Sequence, residues 1–355
     1  MTLADLSAWI RTALKWVLLA TVALAALWIG WIIVTGVSSS LFRPQDADTA
    51  YGVLDPPIFS QTYSFFKSKT YENEATLPKS RKKLAVFQFE NSEKFTKEQQ
   101  NKIASFFGLV STEKSETDGL ITWKKKSETT NLKLDVSSSH FIFKRDLSKD
   151  KRLLNSKVNL DQNQALKKTA EIFKKINISL DNKNIDADKT VIKYFNISVD
   201  SRKETSASNA NAVEIKFFRK IGKVLSSGDA PIRILLAEKG NKILEFDYYF
   251  SPLNPLGAPY PIITSSQAWE EIRSGNAFSD SNKDFSAIKV AKVTLTYWES
   301  KFFQPYLQPV WLFTGVGETN AGEIEFGAIV PAISPDYLSS ESGQQPSDQP
   351  PPAAP

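Results

Sequence analysis

The sequence predicts an α+β protein, with a single N-terminal transmembrane helix followed by about three repeats of one helix plus antiparallel strands. Three observations carry this expectation. Residues 16–34 are apolar throughout and uncharged. Three later phrases share one helix-start pattern, at Thr96 and Gln99, Asp161 and Gln164, and Thr264 and Gln267. After each of them come runs in which apolar and polar residues alternate.

The apolar run matches the length needed to cross a membrane, since about 20 residues at 1.5 Å rise span the ~30 Å hydrocarbon core. Trp16, Trp28 and Trp31 lie toward its ends, where aromatic belts form. Arg11 and Lys15 precede it, whereas Arg43 on the far side is followed by Asp46, Asp48 and Asp55. The positive-inside rule therefore places residues 1–15 in the cytoplasm and the body outside it. A cleaved secretory signal, with small residues at 35–40, is the competing reading, and it exports the body equally.

Residues 35–83 are rich in Ser, Pro, Asp and Thr, and Pro56 and Pro57 enforce extended backbone, so this stretch reads as a linker or stalk. Its Ile58, Phe59, Tyr63, Phe65 and Phe66 predict that part of it docks on the body. The first repeat covers 84–158, the second 159–262 and the third 263–338. In each, Thr or Asp followed three residues later by Gln is the capping box, in which two side chains satisfy each other's backbone N–H groups. Gly108 and Gly275 stand where helices 1 and 3 should end. Strands are expected at 119–126, 131–137 and 140–145, at 191–199, 212–218, 231–237 and 244–250, and at 288–298, 307–314 and 323–332. Residues 339–355, dominated by Ser, Gln and Pro, read as a disordered tail.

The third repeat carries a recognisable order. A short helix at 265–275 with Ala268 near its start is followed by a strand ending at Tyr297, a Pro309-Val310-Trp311 strand, and a final strand through Ile329 and Val330. This order resembles the PepSY-like domains and the YycH/YycI regulators over 263–333, and it thins toward the N-terminus. The resemblance implies an extracytoplasmic body on one membrane helix that acts on a membrane partner. Its motifs are structural, so it implies no catalytic residues. The Pro-rich linker and tail depart from that pattern.

Composition excludes several chemistries. With no Cys, disulfides, thiolate metal sites and Cys nucleophiles are impossible, and a single His, His140, excludes a multi-His metal site. No cofactor, metal or nucleic-acid partner is expected. Net charge is +5, but residues 60–183 hold 25 Lys and Arg against 15 Asp and Glu, whereas 184–355 hold 16 against 20. The basic half reads first as a solvated surface and second as a site for anionic lipid or wall polymer. Lys79, Arg81, Lys82, Lys83, Lys124, Lys125 and Lys126 are the residues that would carry such a site.

Remaining motifs favour structural roles. His140 follows three serines, but neighbours on a strand point to opposite faces, so a nucleophile pair within this segment is disfavoured. The stretch 315–322, with Gly315 and Gly317, lies between strands and reads as a hairpin loop, since a phosphate site needs a helix N-terminus. Residues 181–188 carry acidic and amide side chains but lack the Gly and closing Glu of a helical calcium loop. Glu323 and Glu325 read as the solvent face of a strand. Among Trp298, Tyr306, Trp311 and Phe313, core is the better reading, while an exposed Trp298 or Tyr306 would suit a partner-binding patch.

The expected function is a membrane-tethered extracytoplasmic binding or regulatory protein, not an enzyme, with a membrane or envelope protein as partner. The alternative is an envelope scaffold that binds anionic lipid or wall polymer through the basic half.

Overall fold

Local sequence sets the three predicted helices as expected in a computed structural model of the chain, and a further short helix lies at Lys151–Asn155. The structure describes residues 49–339 except 60–63, 66–67, 80, 91–93, 111–112, 126–129, 149–150, 179–184, 186–189, 223, 280–284 and 303. The predicted span at 16–34 lies outside the described residues, as do Lys126, most of 181–188 and the tail from 340 onward. Among the described residues no helix is long and apolar enough to cross a membrane. Residues from Tyr51 onward form one unit.

Strands β1 (Ser64–Phe65) and β2 (Ser68–Asn73) arise from the predicted linker and are followed by β3 (Lys83–Gln88). Helix α1 (Lys97–Phe106) precedes β4 (Glu113–Thr117), β5 (Leu120–Lys124), β6 (Asn131–Asp135) and β7 (His140–Lys144). Helix α2 (Gln162–Ile176) precedes β8 (Val191–Ile197), β9 (Arg202–Glu204), β10 (Ala212–Phe217), β11 (Lys220–Ile221), β12 (Val224–Gly228), β13 (Ile232–Ala237) and β14 (Lys242–Tyr248). Then come β15 (Ala258–Pro261), helix α3 (Ser265–Ser274), β16 (Phe278–Ser279), and the meander β17 (Phe285–Glu299), β18 (Tyr306–Thr319) and β19 (Gly322–Pro331). The result is a mixed, strand-dominated α+β body with two sheets.

All three capping boxes form. At α2, Asp161 accepts from the Gln164 N–H at 2.8 Å, and the Gln164 side chain accepts from the Asp161 N–H at 3.0 Å. Thr96 with Gln99 and Thr264 with Gln267 repeat the arrangement. Gly275 ends α3 in the left-handed region at φ 79°, where a side chain would be strained.

Strands from 113–144 and 191–248 form one nine-stranded antiparallel sheet, ordered β4-β5-β6-β7-β14-β13-β10-β8-β9. Their last strands pair at the centre, with Phe143 opposite Phe246 and Phe141 opposite Tyr248. Strand numbers fall outward from the β7–β14 seam on both sides, to β4 on one and to β8 on the other, with β9 beyond β8. The fusion has a physical cause, because each half alone would leave its last, aromatic strand as an unpaired edge. Helices α1 and α2 cover the same face, and Phe107 stacks on Phe143 with ring centroids 4.0 Å apart, in a single core.

The other sheet has ten strands, with central order β1-β16-β19-β18-β17-β12-β11; β16–β19 come from 263–338, β1 and β2 from the predicted linker, and β3, β11, β12 and β15 from 83–262. Helix α3 packs on its inner face, where Trp269 lies 6.1 Å from Phe313. The stretch read as a linker goes further than docking. Leu54 is fully buried, and β2 runs parallel to β17 as a strand of the sheet. The hairpin loop expected at 315–322 is shorter than predicted, since β18 continues to Thr319. Gly315 is needed within the strand, because a Cβ there would fall 2.0 Å from the Lys289 carbonyl oxygen beside the bulge at Ala291.

Hairpin β11–β12 leaves the nine-stranded sheet to pair with β17, joining the two sheets. At that junction the fully buried Arg219 donates through Nε and Nη2 to Glu299, at 3.1 and 2.8 Å, and its guanidinium lies 4.3 Å from the Phe250 ring centroid. Gly228 permits the approach, since a Cβ there would meet the Glu299 carbonyl oxygen at 2.4 Å.

Candidate functional site

The aromatic candidates part company. Trp298 is buried, at 3% exposure, and its indole N–H donates to the Ile58 carbonyl at 3.0 Å beside Phe59, Val310 and Ile329. It is a packing residue that clamps the segment at 58–59 to the sheet. Tyr306 is half-buried and stacks on Tyr51 with centroids 4.8 Å apart. The basic candidates divide between sheets. Lys79, Arg81, Lys82 and Lys83 are exposed around the start of β3, whereas Lys124 and Lys125 are exposed at the end of β5 in the other sheet.

His140 pairs with a serine, although not one of its neighbours. Its Nε2 lies 2.9 Å from Ser251 Oγ, and the Tyr249 ring stands edge-on at 5.7 Å. Burial lowers its pKa to about 4 against the opposing pull of Asp135. At neutral pH the imidazole is therefore uncharged and a poor proton acceptor, far from the near-neutral pKa that general-base work needs. Asp135 is turned away, its Oδ1 accepting from Ser137 N–H and Oγ at 2.8 and 2.6 Å, so it closes a turn instead of orienting the ring. Among the described residues no group of three acidic or His side chains is placed to hold a metal ion.

Sequence reasoning did not single out two features of the surface. The first is a groove of about 510 Å³ on the outer face of β17–β19, lined by Ala291, Leu312, Thr314, Glu325, Gly327 and Ile329. The bulge at Ala291 and the bare Gly327 leave only the short Thr314 side chain between Leu312 and Glu325. Glu325 and Glu323 are exposed, as their alternation predicts. An interrupted apolar–polar alternation through Ala291 and Lys292 was the available signal for the bulge.

The second feature is the outer face of the nine-stranded sheet, opposite α1 and α2. In its β8–β14 half, Arg233 bonds Glu214, Glu245 and Asp247, Arg202 bonds Glu214, and Lys216 lies 3.4 Å from Glu214. Burial would raise the Glu214 carboxyl, but Arg233, Lys216 and Arg202 outweigh it and hold its pKa below the ordinary value. Burial lifts Asp247 despite Arg233. Leu147 and Leu154 pack over Leu235, Ala237 and Leu244 on the same face. In the β4–β7 half, Lys124, Lys133 and Lys144 point outward and are exposed.

No family profile matches the chain, and no curated protein matches it. Among solved structures, it is similar to an uncharacterized protein from Eubacterium rectale ATCC 33656, at 12% identity and a TM-score of 0.42, over 75% of this chain and 90% of that one.

Proposed function

We propose that this chain is a membrane-tethered, extracytoplasmic binding or regulatory protein that acts by protein–protein contact and catalyses no reaction. The observation that carries this reading is the groove over β17–β19, whose apolar floor of Leu312 and Ile329 beside the Glu325 carboxylate suits an extended segment with apolar and basic side chains. The uncharged run at 16–34 with its basic N-terminal flank supports the tether. The resemblance of 263–333 to PepSY-like and YycH/YycI-type domains supports a membrane or envelope protein as the partner. The same reading takes the units led by α1, α2 and α3 as copies of one helix-plus-strands repeat.

A photo-crosslinking residue placed at Thr314 in the full chain, in intact membranes, tests it. A discrete adduct with one membrane or envelope protein is expected, lost when Leu312 is changed to Glu in protein that still folds, and missing when the probe sits at Lys203 on the far sheet. Equal labelling from both positions, or none from Thr314, would overturn the reading.

A further inference from the structure

Four outward cations in the second half of the nine-stranded sheet are paired, whereas three in the first half are not. Lys193, Arg202, Lys216 and Arg233 in the second half all sit in ion pairs with Glu204, Glu214, Glu245 or Asp247. Lys124, Lys133 and Lys144 in the first half have no ion-pair partner among the described residues. Register fixes their arrangement. Lys124, Asn131 and Lys144 lie side by side on β5, β6 and β7, and Lys133 lies one row further on, between Thr122 and Ile142. At a strand spacing of ~4.8 Å, the Lys124 and Lys144 backbones are about 10 Å apart, with Lys133 between them.

The carboxylates nearest these lysines are committed elsewhere. Glu245, the cross-strand neighbour of Lys144, is bonded to Arg233 and lies 3.7 Å from Arg202. Asp135 is held by Ser137 and Ser138. Glu113 stands opposite Lys124 on the edge strand, the one acidic position in the rows that the lysines occupy on β4–β7. Asp247 on β14 also feels Lys144 but is bonded to Arg233, so the net charge over this half stays positive.

We infer that the outer face of β5–β7 is a binding site for a linear polyanion whose negative charges recur along its length, as in a chain of phosphodiesters, laid across the strands. This site lies on the other sheet from the groove and does not depend on it. Charges spread over three adjacent strands argue for an extended polymer. Thr122, Lys124, Asn131, Lys133, Ile142 and Lys144 include no aromatic side chain to stack a base, which disfavours single-stranded nucleic acid. They also include no exposed large apolar residue to enter a bilayer, which disfavours a lipid surface.

The test uses the full chain in a nonionic detergent and inorganic polyphosphate as probe, at about 50 mM salt where such contacts are little screened. The triple variant Lys124→Gln, Lys133→Gln, Lys144→Gln should bind about tenfold or more weakly, with a salt dependence of affinity reduced by two to three units of slope. The triple variant Lys79→Gln, Lys82→Gln, Lys83→Gln removes the same charge from the other sheet and should lose about twofold or less. Should the first triple variant fail to fold, Lys133→Gln alone should lose about threefold. Equal losses in the two triple variants would show only a response to net charge and would overturn the site. So would no binding of polyphosphate by the unaltered chain, or binding to phosphatidylglycerol vesicles without binding to polyphosphate.

Discussion

On one face of a single sheet, every outward cation of the second half named above is neutralised, while the three lysines of the first half stand in the open. The halves share a helix-covered core, so the difference lies on their outer faces. In the second half Leu147 and Leu154 cover part of the face, and a charge under partial cover must be paired. In the first half the lysines stay hydrated, and their charge is available to a partner. The paired charges of the second half serve stability, and the proposed site lies on the half whose lysines are unpaired.

The largest effect that could break this comparison comes from Glu214, which is 4% exposed and accepts from both Arg202 and Arg233. Glu214→Gln should cost about 3 kcal/mol by leaving those guanidinium groups without their central carboxylate. Lys133→Gln on the first half should change stability by no more than ~0.5 kcal/mol. Urea denaturation of both variants measures the contrast, and equal costs would show that the two faces do not differ in kind.

The next effect is the pH response of His140, which sits beside the seam. Its folded pKa of about 4 lies below the ordinary 6.5, so the unfolded chain binds the proton first as the medium acidifies. Stability is then fully present above pH 6.5 and declines as pH falls toward 4, by at most about 3 kcal/mol. His140→Asn should flatten that part of the stability profile relative to the unaltered chain. An unchanged slope between pH 6.5 and 4 would place the ring in water.

The smallest effects concern the helix starts. Gln164→Ala and Gln267→Ala should each cost about 1 kcal/mol or less, read as a small fall in the denaturation midpoint. No change at both would mean that the boxes seen at Asp161 and Thr264 add nothing to stability.

These boxes show which parts of the molecule the sequence makes legible. A cap is a contact between residues three apart, so Thr96 with Gln99 announces a helix by itself. The strands at 131–135 and 322–331 were visible for the same reason, through alternation. Strand β4 was not, because Glu113 to Thr117 is a charged edge with no apolar face to betray it. The pairing of β7 with β14 joins Phe143 to Phe246 across about a hundred residues, and no local pattern encodes it. Nor does composition show that β2 enters a sheet, since its Ser, Lys and Glu look like a tether until β17 supplies the backbone partners. Lys133 and Lys144 were within reach, because each follows buried apolar neighbours at the period of a strand. Denser lysine runs, such as 124–126, say nothing about which face they occupy. Trp298 illustrates the converse, an aromatic residue whose role depends on Ile58 and Phe59, some 240 positions earlier.

Everything proposed for partners rests on the body lying outside the cytoplasm, and paired topology reporters test that most directly. An enzyme reporter active only after export, fused after Val53, should be active, and the same reporter fused before Trp16 should be silent. Activity from the N-terminal fusion with silence after Val53 would contradict the account.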